Sequence, residues 1–83
     1  MSRKPGVLQM WWWQRRINRM RCCKSVDELR AKYGNPDHEV AAGEVTIWHY
    51  PLRVIGDTLY GIHVAIIDGL PNQVYLHMEP VAT

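Results

Sequence analysis

The sequence predicts an α+β domain, two N-terminal helices followed by a three-stranded antiparallel β-meander (ααβββ). Three observations carry this. Apolar residues recur every three or four positions up to Tyr33 and every two positions after Glu44. Gly34-Asn35-Pro36 separates the two regimes, and these are residues that end helices. The later segments are divided by short Gly-Asp and Asp-Gly breaks, which suit hairpins rather than crossovers. A chain of 83 residues holds one core. That core is assigned to residues 7–83, after a polar stretch (MSRKPG, 1–6) read as a disordered tail.

The first helix is expected from about Leu8 to Cys23. Met10, Trp13, Ile17 and Met20 make one apolar stripe, with Arg15, Arg16 and Arg19 on the other side. The run WWWQRR at 11–16 sets three tryptophans side by side. Consecutive helical residues point about 100° apart, so the three rings cannot share one core. Trp13 belongs to the stripe. Trp11 lies on one flank and Trp12 among the arginines, which makes Trp11, Trp12, Arg15, Arg16 and Arg19 a candidate binding set.

A capping box, Ser25-Val26-Asp27-Glu28, opens the second helix. The Ser25 hydroxyl is expected to accept from the Glu28 amide, and the Glu28 carboxylate to reach back to the Ser25 amide. Val26, Leu29 and Tyr33 face inward, and Gly34 is the left-handed stop.

Three strands follow, over 44–52 (EVTIWHYPL), 58–67 (TLYGIHVAII) and 73–79 (QVYLHME), with Asp68–Asn72 as a five-residue turn. The core faces are Trp48, Tyr50 and Leu52, then Tyr60, Ile62, Val64 and Ile66, then Val74, Leu76 and Met78. The opposite face keeps Val45, Ile47, Ala65, Ile67 and Tyr75, more apolar than a solvated face should be. Val45, Ile47, Ile67 and Tyr75 are therefore a candidate interface. Two covers suit it: a second copy, giving a homodimer, or the first helix.

His49, His63 and His77 share that second face by parity. Symmetric five-residue loops would pair 49 with 63 and 63 with 77, a row of three imidazoles that could ligate zinc. The outer two rings of such a row are two strand spacings of about 4.8 Å apart, more than one metal comfortably spans. The favoured expectation is three amphipathic residues on a half-wet face, with no metal and no cofactor.

Charge is unevenly placed. Residues 1–24 hold seven bases and no acid, whereas residues 25–83 hold three bases and eight acids, a net −5. A basic arm beside an acidic body suggests an anionic partner, or an arm packed on its own domain. Cys22 and Cys23 are adjacent, which disfavours a disulfide between them, and no C-x-x-C spacing exists. They are read as reduced thiols. Catalysis finds little support: no Ser or Cys has a nearby base, and there is no glycine-rich phosphate loop or H-E-x-x-H. The chain is expected not to be an enzyme and to take no small-molecule substrate. No apolar run approaches the ~18 residues of a membrane span. Absence of a signal h-region or lipobox points to a cytoplasmic chain.

Residues 25–79 resemble the SmpA/OmlA (BamE-like) small lipoprotein domains and the related β-lactamase-inhibitor-like fold. The matching features are the helix SVDELRAKYG, the Gly34-Asn35-Pro36-Asp37 that follows, the strand Thr46-Ile47-Trp48-His49-Tyr50, and final strands broken at Asp68-Gly69. The family's lipoprotein signal does not precede Cys22 or Cys23. The resemblance implies a helix–helix–three-strand layout and a non-enzymatic scaffold that binds proteins. The functional expectation is a small protein-interaction or scaffold domain, self-associating. The alternative is a binder of anionic surfaces, acidic lipid headgroups or single-stranded nucleic acid, through the basic tryptophan helix.

Overall fold

A computed structural model describes residues 4–81. Two helices, α1 (Val7–Arg21) and α2 (Val26–Tyr33), precede four strands: β1 (His38–Ala42), β2 (Val45–Ile55), β3 (Thr58–Ile67) and β4 (Leu70–Pro80). The strands form one antiparallel sheet in the order β1-β2-β3-β4. The α+β class and the two helices match the sequence-based expectation; the strand count of three is corrected to four. Of the expected tail, residues 1–3 lie outside the described residues, as do residues 82 and 83 of the expected domain.

Each helix forms for a local reason. The Ser25 hydroxyl accepts from the Glu28 amide at 3.1 Å, as the capping box requires. The return bond differs from expectation: the Glu28 carboxylate accepts from the Lys24 amide at 2.8 Å, one residue earlier. That hydrogen bond, followed by the Lys32 ammonium at 3.2 Å, holds the Glu28 carboxyl below its ordinary range. Gly34 ends α2 with φ of 82°, where its amide donates to the Arg30 carbonyl. α1 ends at Arg21, two residues short of the expected Cys23, and Arg19 and Arg21 lie at its negative pole.

Both helices pack on one face of the sheet. Ile17 and Met20 of α1 and Leu29 of α2 join Trp48, Tyr50, Ile62, Val64, Ile66 and Val74 in a single core. Trp13 adds to it against Tyr60, with ring centroids 5.1 Å apart. Side chains that are as well buried as Met20, Leu29, Ile62 and Val64 are each worth about 1.5–3 kcal/mol relative to exposure. Two polar ties fix the helices. The Arg21 guanidinium donates twice to the Val74 carbonyl, at 2.9 and 3.2 Å, and the Tyr50 hydroxyl donates to the Gly34 carbonyl at 3.0 Å. The expected core position Met78 is instead exposed, and Met10 at the start of the stripe is exposed too.

Placing the first helix over the other sheet face is thereby ruled out. Among the described residues that face carries no helix. The molecule is a slab of 42 × 27 × 17 Å, one sheet and one helical layer thick.

Three corrections concern the strands. The first expected strand, 44–52, runs on to Ile55, and its hairpin turns through Gly56 and Asp57 rather than five residues; an irregularity between Pro51 and Arg53 keeps His49 opposite His63. β1 was missed because its five residues, His38-Glu39-Val40-Ala41-Ala42, are all exposed and include two alanines, which give little strand signal. The last hairpin turns through Asp68 and Gly69 alone, both with positive φ (55° and 74°), so Leu70–Asn72 belong to β4 rather than to a loop. An irregularity after Ala65 absorbs one further residue. Together they move the β3–β4 pairing by two, so His63 faces Tyr75 and His77 faces Gly61. A shift of two leaves every side chain on its expected face.

Candidate functional site

The bare sheet face holds all four histidines of the chain. Register alternation places His38, Val40 and Ala42 of β1 opposite His49, Ile47 and Val45 of β2. The same β2 residues stand opposite His63, Ala65 and Ile67 of β3, and His63 stands opposite Tyr75 of β4. The candidate interface residues Val45, Ile47, Ile67 and Tyr75 thus share one surface. Val45, Ile47 and Ile67 are half-buried by their neighbours, whereas Tyr75 and Val40 are exposed.

At its centre the imidazoles touch one another. Ring centroids lie 6.0 Å apart for His38–His49, 5.1 Å for His49–His63, 6.2 Å for His49–His77 and 4.0 Å for the stacked pair His63–His77. His49 is buried although no helix covers it. It owes this to Gly61, over which its ring lies: a Cβ on Gly61 would fall 2.6 Å from His49 Cε1. The missing side chain is the slot that lets β2 and β4 imidazoles meet across β3.

Their nitrogens diverge to separate partners. His38 Nε2 lies 3.1 Å from Asp37 Oδ2, His77 Nε2 lies 3.6 Å from Glu79 Oε2, and His63 Nδ1 lies 3.4 Å from the Tyr75 hydroxyl. Among the described residues no three His, Cys, Asp or Glu side chains are arranged to hold one metal ion. Burial, and then the neighbouring His77 and His49, push the His63 imidazole below its ordinary pKa, with Glu79 pulling weakly the other way.

A second surface lies on the helical side. Trp11 and Trp12 are 52% and 57% exposed, while Trp13 is buried. The two exposed rings meet edge to face at 5.1 Å, and the Arg15 guanidinium lies over both, at 5.4 and 5.8 Å. Arg16 lies 5.8 Å over the Tyr33 ring. A shallow groove of about 400 Å³ runs past Trp12, Arg15, Arg16, Arg19, Tyr33 and Leu52. The five candidate residues of α1 therefore divide into an exposed aromatic pair and a basic groove beside it.

Sequence reasoning missed His38 and Val40, because it missed β1. The alternation His38-x-Val40-x-Ala42 ahead of Gly43, whose φ is 63°, was the available signal. It also did not foresee that the buried indole Nε1 of Trp48 has no hydrogen-bond partner, or that the Arg30 guanidinium lies over the Trp48 ring, 5.0 Å from its centroid. The thiols offer little chemistry: Cys22 is exposed, and Cys23 is buried with its pKa raised, first by desolvation and then by Glu28. No described helix is long and apolar enough to cross a membrane.

No family model matches the chain, and comparison with curated proteins and with solved structures yields no match.

Proposed function

We propose that this chain is a small non-catalytic interaction or scaffold module that pairs with a second copy of itself through the bare sheet face. The observation that carries the reading is the placement of both helices on one face while the other keeps Val40, Val45, Ile47, Ala65 and Ile67. Surface area agrees. The chain exposes 5961 Å², whereas a compact monomer of 9.7 kDa exposes about 5100 Å². The surplus, roughly 850 Å², is close to the ~800 Å² that each partner buries in an interface of standard size. Shape agrees as well: the radius of gyration is 13.3 Å, against about 11.8 Å for a compact domain of this length.

Charge favours a copy over an oppositely charged partner. No Lys or Arg occupies a position of this face in β1–β4, and its carboxylates, Glu79 and the adjacent Asp37, sit at the rim. A neutral apolar patch complements itself under a two-fold axis. Two slabs joined this way would be a helix–sheet–sheet–helix sandwich. The scaffold role is also what the SmpA/OmlA resemblance of residues 25–79 implies. Sedimentation velocity at about pH 8, where free imidazoles are neutral, tests it. The wild type should be a dimer and Ile47→Glu/Ile67→Glu a folded monomer. A wild type that stays monomeric at every concentration removes the proposal.

A second reading rests on a different observation, the outward-facing Trp11–Trp12 pair capped by Arg15. Two exposed indoles beside a basic groove suit an anionic surface with something to stack on or partition into: lipid headgroups, or unpaired bases. Indole emission of a Trp48→Phe variant, titrated with anionic vesicles and separately with single-stranded nucleic acid, tests it. Binding should weaken steeply with salt. Emission unmoved by both additives removes this reading.

A further inference from the structure

The chain has four histidines, and the sheet brings all four to one patch of one face. Their rings form a continuous cluster with neighbouring centroids 4.0–6.2 Å apart, and the patch lies at the centre of the surface proposed to pair. We propose that this cluster makes the self-association pH-dependent: pairing proceeds while the imidazoles are neutral and is broken when they become cationic. The inference rests on the self-pairing reading above.

The dependence is electrostatic. Neutral imidazole is an amphipathic ring that an apolar interface tolerates, whereas imidazolium is a charge whose burial needs a partner. The charged and titratable groups around the cluster can be named strand by strand. β1 offers His38 with the adjacent Asp37 carboxylate, β2 offers His49, and β3 offers His63. β4 offers the Tyr75 hydroxyl, His77 and the Glu79 carboxylate. The two carboxylates stand by His38 and His77, the outer rings. His49 and His63, the inner rings, have no carboxylate against them among these contacts. His63 is stacked at 4.0 Å on His77, which has the Glu79 carboxylate beside it. A proton on His63 would place a charge against the stacked His77 ring, inside an interface contributed twice.

The sign follows from linkage. In the separated chains the half-buried His63 imidazole still reaches water and can take a proton. In the pair it is covered and resists it. Acid therefore drives dissociation. For each proton taken up on dissociation, Kd rises about tenfold per pH unit below the pKa of the free chain. A symmetric pair contributes His63 twice, so the slope approaches about a hundredfold per unit. Burial and the neighbouring rings already hold the His63 imidazole of the folded chain below the ordinary value of about 6.5, so the window opens below that pH and extends downward.

The test is sedimentation of the whole chain between about pH 8 and pH 5.5 at fixed ionic strength, a span that brackets imidazole titration. Near-ultraviolet circular dichroism is recorded on the same samples. The expected result is a folded dimer at the upper pH, a folded monomer at the lower, and a His63→Gln/His77→Gln variant that stays dimeric at both. A wild type dimeric throughout overturns the pH dependence while leaving the pairing intact. A wild type monomeric throughout overturns the pairing, and the pH dependence falls with it. Dissociation that coincides with loss of the near-ultraviolet signal also overturns it, because acid would then be unfolding the chain. Equal acid dissociation of the double variant overturns the role of these two rings.

Discussion

Gly61→Ala is the sharpest probe of the histidine face, because one methyl group asks the whole cluster to move. The added Cβ would lie 2.6 Å from His49 Cε1, 3.1 Å from His49 Nε2 and 3.2 Å from the Tyr50 carbonyl oxygen. The carbonyl belongs to the paired strand β2 and yields only by a few tenths of an ångström. The imidazole can swing away, but then His49 leaves its buried position and its contacts with His63 and His77. Overpacking of this kind costs about 1–3 kcal/mol. It is partly offset by the ~0.4–1 kcal/mol that replacing Gly gains by restricting the unfolded chain. The expected net is a loss of about 1–2 kcal/mol, a fall in Tm of roughly 4–8 °C per kcal/mol for a domain of this size. Urea denaturation at one fixed protein concentration measures it, since pairing would make stability depend on concentration. The decisive control is the same substitution in a His49→Ala background, where the methyl has room and Gly61→Ala should be neutral or stabilising. A coupling of about 1 kcal/mol or more is expected in the double-mutant cycle. Equal effects in both backgrounds would refute the claim that Gly61 exists to seat His49.

Other substitutions separate the roles of neighbouring residues. Trp13→Ala should cost about 3–5 kcal/mol, whereas Trp11→Ala and Trp12→Ala should each stay within about 0.5 kcal/mol, since only the first ring is buried; denaturation midpoints of the three variants decide this. Ser25→Ala should cost about 1 kcal/mol through loss of the bond to the Glu28 amide, read as a lowered denaturation midpoint. His63 has its pKa pushed down in the folded chain, so it contributes stability that is fully present above the unfolded imidazole value, about 6.5, and is lost as pH falls through the folded value. Tm of the Ile47→Glu/Ile67→Glu chain should therefore drop on acidification below that value, and adding His63→Gln should flatten the drop. A steeper drop in that variant would reverse the sign assigned here.

The legible parts of the fold are those whose signal is local. The capping box and Gly34 bound α2 at its ends, and the split of three adjacent tryptophans follows from helical geometry alone. Face assignment in β2 and β3 was legible for the same reason, because parity needs only the alternation along each strand. What depends on two strands at once was less so. The His63–His77 register turned on whether residues 70–72 were loop or ladder, and the positive φ of Asp68, uncommon outside glycine, decided for ladder. β1 carries no buried residue, so hydrophobic periodicity had nothing to detect, and with it went His38. The contact between His49 and His77 could not be read from sequence, since it passes through the space that Gly61 leaves empty.

The two surfaces lie on opposite sides of the sheet and make opposite demands on charge. On the helical side the guanidinium groups of α1 remain cationic across the whole accessible pH range, so any anion bound beside Trp11 and Trp12 is released by salt and insensitive to mild acid. On the bare side, the proposed pairing would need neutral rings against apolar neighbours, so it should withstand salt and fail in acid. Two titrations on the same preparation therefore assign any association this chain makes to one side or the other. An association that salt and acid both dissolve draws on both sides, or on an anion that itself takes up a proton. The layer between them is the single sheet, whose β2 residues Trp48, His49 and Tyr50 point alternately to the two surfaces.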